Sequence, residues 1–158
     1  MLSSDRFTGV LAAALTPLHE DLKPNIVLMA EHCFWLMKNG CDGLAILGTT
    51  GEANSFSVGE RIEIIEGLVE QGVPGEKLLP GTGSCTIPDA VALTRTAISV
   101  GARGVLMLPP FYYKNPLDEG LYQYFSEVIQ QVSDARLKIY LYHFPQMSAV
   151  PFSYNLIE

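Results

Sequence analysis

Cationic charge is scarce in this 158-residue chain: ten Lys and Arg stand against seventeen Asp and Glu, for a formal net charge of -7. The ten are spread singly, with no basic run. Neutralising a phosphate backbone needs a basic face, so no nucleic-acid partner is expected. Cysteine is sparse too. Cys33, Cys41 and Cys85 are odd in number and widely spaced, which is no disulfide framework, and no C-x-x-C pair points to zinc. Neither a metal nor another cofactor is expected. No apolar run approaches the ~18 residues of a membrane span. The opening Met1-Leu-Ser-Ser-Asp-Arg-Phe7 lacks the basic and apolar regions of a signal peptide. The expectation is a soluble, cytoplasmic chain with no membrane partner.

Apolar residues are plentiful, at 48% of the chain, with a mean hydropathy of +0.22. That is enough for the core of one domain. Short apolar runs alternate with longer amphipathic stretches. The runs are residues 10–15, 44–47, 78–81, 105–108 and 139–142. Pro80 counts against a central strand in the third, since proline removes a ladder donor. Residues 24–39 read as a helix with Ile26, Ala30, Cys33 and Met37 on one face, stopped by Gly40. Ser57-Val-Gly-Glu60 is a capping-box pattern opening a second helix, whose buried face is expected at Val58, Ile62, Ile65 and Val69. Thr86 caps a third, with Pro88 and Asp89 in its first turn. Asn115-Pro116 reads as the start of a fourth, buried through Leu121, Phe125, Val128 and Val132. Residues 151–158 read as the beginning of a fifth.

An internal echo supports this organisation. Gly40-Cys-Asp-Gly43 and Gly101-Ala-Arg-Gly104 each precede an apolar run, two β-α units of about 30 residues apart. Near-continuous apolar strands between amphipathic helices imply a parallel sheet covered by helices. A barrel and an open doubly wound sheet both satisfy that, and the even unit spacing of the echo favours the barrel.

In either architecture ligands bind beyond the carboxyl ends of the strands. After the second run comes Gly48-Thr49-Thr50-Gly51-Glu52. Its glycines allow a tight turn whose N–H groups can converge on a carboxylate, and its hydroxyls add donors. A phosphate fits less well, with Glu52 alongside and no Lys following. The fourth run leads to Tyr112-Tyr113, and the fifth carries Tyr140 and Tyr142 on one face, with Tyr142 nearer the ligand-binding end. Any one of these features has a bland reading, as a polar turn or a tyrosine packed at a rim.

Together they resemble the dihydrodipicolinate synthase and N-acetylneuraminate lyase family, from Phe7 to the last residue. The resemblance rests on Phe7-Thr-Gly-Val with Leu15-Thr-Pro17, on residues 48–52, on Gly81-Thr-Gly83, on Tyr112-Tyr113 leading to Glu119-Gly-Leu-Tyr-Gln123, and on Leu141-Tyr142 with Pro145. It implies a (β/α)8 TIM barrel, usually a tetramer of tight dimers. It also implies class I chemistry, in which a lysine forms a Schiff base with pyruvate or another 2-oxo acid. By position, Thr49 would relay protons. Thr50 would hold the 2-oxo acid carboxylate, helped by backbone N–H groups of the turn at Gly48 and Gly51. Tyr142 would be the acid/base, and Tyr113 would complete the relay across a dimer interface.

Two departures stand out. None of the five lysines, Lys23, Lys38, Lys77, Lys114 and Lys138, lies at the end of a sixth strand, where the family carries its Schiff-base lysine. The chain is therefore expected to be one incomplete barrel domain over 1–158, truncated after about five strands at the start of α5 of the barrel and inactive alone. Met147 stands where dihydrodipicolinate synthase has the arginine that grips a second carboxylate, and a thioether does not replace a bidentate cation. The first expectation is thus an aldolase or dehydratase of a 2-keto-3-deoxy sugar acid, with dihydrodipicolinate synthase as the alternative. A non-catalytic fragment or carboxylate-binding remnant is the third.

Overall fold

The computed structural model describes residues 7–158; the reading of the first six residues as free of a targeting signal lies outside them. β1 (Leu11–Ala13) pairs in parallel with β2 (Gly43–Ala45), and β3 (Val105–Met107) with β4 (Ile139–Leu141). The third apolar run falls between the two pairs. Leu78 bridges Leu44 and Gly81 bridges Leu106, both in parallel. The N–H groups of Leu79 and Gly81 donate to Leu44 and Ile46, and that of Leu106 donates to the Pro80 carbonyl. Pro80 keeps its acceptor in the ladder and lacks only a donor, so the run sits centrally despite the proline.

The five runs therefore lie side by side in chain order. The helices that separate them, α1 (Ile26–Lys38), α2 (Val58–Glu70), α3 (Ile87–Ser99) and α4 (Asp118–Val132), each pack against the next. Two short helices follow β4: α5 (Pro145–Ser148) and α6 (Tyr154–Ile157), the latter packed on α4. Chain-ordered strands with consecutively packed helices make an α/β arc; a doubly wound sheet would reverse its strand order.

The arc is curved, and two hydrogen bonds measure it. Thr49, just past β2, has its Oγ1 3.3 Å from the Tyr142 hydroxyl, just past β4. At the other end the Phe7 N–H donates to the Tyr140 hydroxyl at 2.9 Å. Neighbouring strands lie about 4.8 Å apart, so in a flat sheet the second and fifth runs would be about 14 Å apart with parallel side chains. Both contacts require a sheet wrapped around its inner face. The sequence echo marks the lower rim of this wrap. A Cβ on Gly43 would meet the Phe7 ring at 2.4 Å, and one on Gly104 would meet the Tyr140 ring at 2.7 Å. Each glycine makes room for one ring of the hydrogen-bonded Phe7–Tyr140 pair.

Two helix starts follow the expected capping, and Asn25 adds a third cap that was not anticipated. Asn25 Oδ1 accepts from the Leu28 N–H at 3.0 Å. Ser57 and Glu60 form the full capping box, at 2.8 and 3.2 Å. Thr86 Oγ1 accepts from the Asp89 N–H at 3.2 Å. The fourth start is a correction. Asn115 has φ 53, so Asn115-Pro116 is a left-handed turn, and α4 begins at Asp118 after Leu117 with no side-chain cap. Asn tolerates that conformation, and Asp118 and Glu119 then complement the helix dipole.

The buried face of α4 is as expected, with Tyr124 added. That of α2 is not. Its fully buried side chains are Ile64, Ile65 and Leu68, joined by Arg61 at 4% exposure, while Val58, Ile62 and Val69 lie at the margin. Flanked by α1 and α3 as well as the sheet, α2 buries a wider stripe, and its centre includes a cation that a hydropathy count sets on the outside.

Candidate active site

The carboxyl ends of the runs converge on Thr49 and Tyr142. β2 runs into a tight turn in which Leu47 and Glu52 both have φ 53. The N–H groups of Glu52 and Ala53 fold back on the carbonyls of Thr49 and Gly48, at 3.1 and 3.3 Å. That leaves the earlier N–H groups of the turn as the candidate anion nest. Thr16 Oγ1 donates to the Gly51 carbonyl at 2.8 Å, tying the turn to the end of the first run. Tyr142 is placed by the ladder itself, its N–H donating to Met107 at 2.9 Å.

Two concavities open here. A recess of about 20 Å³ is bounded by Gly48, Thr49, Arg61, Gly81, Gly83 and Tyr142. Beside it, a cleft of about 260 Å³ is bounded by Thr49, Glu52, Asn54, Phe111, Met147 and Ser148. Thr49 borders both. Met147 faces the larger cleft, and among the described residues no arginine or lysine side chain is part of its walls.

The structure brings Thr49, Gly48 and Tyr142 together, with Gly51 buried in the same turn. Thr50 is exposed and borders neither concavity. Tyr113 is 81% exposed, edge-on to Tyr112, and has no contact with the Thr49–Tyr142 pair in this chain. His143 packs against Phe152 and accepts its N–H at 3.2 Å. Lys114 reaches the Phe111 and Ser148 carbonyls, at the edge of the larger cleft.

Arg61 is the site residue that sequence reasoning missed. Its Nη2 donates to the Gly81 and Gly83 carbonyls at 2.8 and 3.2 Å, which anchors the end of the third run. Burial lowers its pKa, but a guanidinium remains cationic. Below it, Tyr124 donates to the Ser84 carbonyl at 2.6 Å, and burial pushes its phenol up to about 12, so it stays a donor. Gly81-Thr-Gly83 was a partial signal: two glycines at a strand end mark a close approach, here of the Leu47 and Leu108 backbones, and the carbonyls of the same two glycines are the ones Arg61 holds.

The sequence model of the dihydrodipicolinate synthetase family matches residues 6–158, nearly the whole chain. This chain belongs to that family. An uncharacterised DapA-like lyase from Chloroflexus aurantiacus is 37% identical over 95% of this chain and 50% of its own length. A 4-hydroxy-tetrahydrodipicolinate synthase from Desulforamulus reducens is 34% identical over 94% and 49%. Among solved structures, dihydrodipicolinate synthase from Agrobacterium tumefaciens superposes with a TM-score of 0.90 at 33% identity, over 96% of this chain and 53% of that one. YagE, a prophage protein of the same family from E. coli K12 solved in complex with pyruvate, gives 0.83 at 29%, over 96% and 49%. The chain thus spans about half the length of the curated relatives it matches. Among the described residues no helix is long and apolar enough to cross a membrane, and no three His, Cys, Asp or Glu cluster as metal ligands.

Proposed function

We propose that this chain is the first five strands, up to the start of the fifth barrel helix, of a (β/α)8 class I lyase acting on a 2-oxo acid, with the Schiff-base lysine supplied beyond Glu158. One observation carries the reading: the 3.3 Å contact between the Thr49 and Tyr142 hydroxyls, 93 residues apart, at the ligand-binding end of the runs. No lysine side chain borders the recess behind that pair.

The chemistry asked of the pair is proton traffic. A lysine amine adds to the keto carbon of the 2-oxo acid, giving a carbinolamine. Tyr142 gives a proton to the carbinolamine oxygen, which leaves as water and yields the iminium. The same hydroxyl then takes a proton when a carbon–carbon or carbon–oxygen bond breaks. A phenol ionises near pH 10 in water, so it works as a base only with a partner able to donate and accept. Thr49 is that partner. The turn at Gly48, Thr50 and Gly51 would hold the carboxylate. Tyr113 would join the relay of a second subunit, which accords with its exposure here and with a dimer or tetramer as the working form.

The larger cleft bears on the substrate. Its walls offer Met147, Asn54 and Glu52 rather than a guanidinium. That chemistry suits a hydroxylated, neutral chain better than a second carboxylate, and so favours a 2-keto-3-deoxy sugar acid over aspartate semialdehyde. Borohydride trapping of the full-length protein with pyruvate, followed by peptide mapping, tests the reaction class. The adduct is expected on a lysine outside this chain; an adduct on Lys114, at the edge of the cleft, would overturn the assignment. Turnover with a sugar-acid panel against pyruvate plus aspartate semialdehyde tests the substrate.

A further inference from the structure

Arg61 does more than anchor a strand. One of its nitrogens holds both the Gly81 and Gly83 carbonyls. No carboxylate pairs with it at ion-pair distance among the described residues; Asp89 and Tyr124 act on it only electrostatically. Its Nε–H is buried with no acceptor, and no other buried side-chain polar atom among the described residues is left so. Buried donors in folded proteins are almost always satisfied, by protein or by ordered water.

Arg61 also borders the recess behind Thr49 and Tyr142, which has about 20 Å³ of room. A single water needs about 10–15 Å³ and two to four polar partners. The partners are present: the Arg61 donor, and two hydroxyls that can each donate or accept. Asn54 adds an amide to the lining, and Leu47, Ala53, Leu106 and Leu108 supply its apolar surface.

We propose that one ordered water occupies this recess, held by the Arg61 Nε–H, and that it extends the Thr49–Tyr142 pair into a three-member proton path. Arg61 is then a positioning residue. By donating to the water oxygen it turns the two water hydrogens toward the threonine and tyrosine oxygens. When Tyr142 gives its proton to the substrate, Thr49 replaces it and the water replaces that of Thr49. The water is left as hydroxide beside a guanidinium, whose positive charge stabilises it. The reverse shift restores all three groups when the substrate returns a proton. The path rests on the lyase reading above; the water does not.

The test has two arms, both on the full-length protein. A high-resolution crystal structure should show a well-occupied water within about 3.2 Å of Arg61 Nε and in hydrogen-bond reach of Thr49 or Tyr142. A dry recess, or a protein acceptor on Nε, overturns the proposal. In the kinetic arm, Arg61→Met should lower kcat about tenfold, less than the roughly 10²–10⁴-fold of a direct acid–base group, with KM for the 2-oxo acid within about twofold. Arg61→Lys should restore part of the loss, and it carries this arm alone if Arg61→Met does not fold. Unchanged kcat, or a loss confined to KM, overturns the path. If the wild type turns over no 2-oxo acid, the lyase reading has failed, and the crystallographic arm still decides the water.

Discussion

Replacing Gly81 with alanine should damage the protein in a way that replacing Gly59 does not. A Cβ on Gly81 would lie 1.9 Å from the Leu47 carbonyl oxygen, where real contacts stay beyond 3.0 Å. More than an ångström of movement is needed, and nothing nearby is flexible. The obstacle is backbone, in a turn where Leu47 already has φ 53, and Gly81 is itself bound through its N–H to Ile46 at 2.8 Å. Overpacking of this kind costs about 1–3 kcal/mol. The lost freedom of the unfolded chain offsets only about 0.4–1 kcal/mol of that. A Cβ on Gly59, in the first turn of α2, meets nothing nearer than the Ser57 Oγ at 3.9 Å. There the offset stands alone, and Gly59→Ala should stabilise by about 0.4–1 kcal/mol. Urea unfolding of the full-length protein should move the two midpoints in opposite directions with similar slopes. Gly81→Ala should also lower turnover, because the displaced turn carries Thr49. Equal or greater stability for Gly81→Ala would refute the close approach on which the site geometry depends.

Other consequences are more local. Ser57→Ala removes the capping-box hydroxyl of α2 and should cost about 1 kcal/mol by the same unfolding measurement; a null effect would mean that the cap is frayed in solution. Burial pushes the Cys33 thiol up to about 11, whereas Cys85 is exposed. At pH 8 a thiol reagent should therefore modify Cys85 at once and Cys33 only on unfolding, and rapid modification of Cys33 in the native protein would contradict the α1 packing. Thr50→Val should raise KM for the 2-oxo acid while leaving kcat near wild type. A selective loss of kcat would instead move Thr50 into the proton path.

The periodic parts of the fold were legible in the sequence because each is fixed locally. Ser57 with Glu60, and Thr86 with Asp89, mark helix starts by hydroxyl and N–H spacing alone. The echo of residues 40–43 in 101–104 marks the lower rim because each strand must clear an aromatic ring there, Phe7 at Gly43 and Tyr140 at Gly104. The start of α4 was not legible: Asn115-Pro116 fits a cap and a left-handed turn equally well until the preceding loop is in place. Nor was the position of the third run, where Pro80 argued against a central strand and only the alternation of its backbone groups shows why it is tolerated. In the site, Thr49 and Tyr142 stood out as polar groups at the ends of apolar runs. Arg61 did not, since a charged residue one turn into an amphipathic helix reads as solvated. What buries it is the pair of carbonyls at Gly81 and Gly83, a tertiary feature.

The proposed mechanism stands or falls on the Tyr142 hydroxyl. In the structure it contributes one 3.3 Å contact at the mouth of the arc, so Tyr142→Phe keeps the ring packing and should cost no more than about 1 kcal/mol of stability. As the proton carrier, the same hydroxyl should be worth roughly 10²–10⁴-fold in kcat. Steady-state kinetics of the full-length variant, on whichever 2-oxo acid the wild type turns over, compares the two directly. A native melt with turnover reduced by at least about a hundredfold is expected. A Tyr142→Phe variant with near wild-type kcat would make the tyrosine a rim residue and remove the acid–base pair from the mechanism.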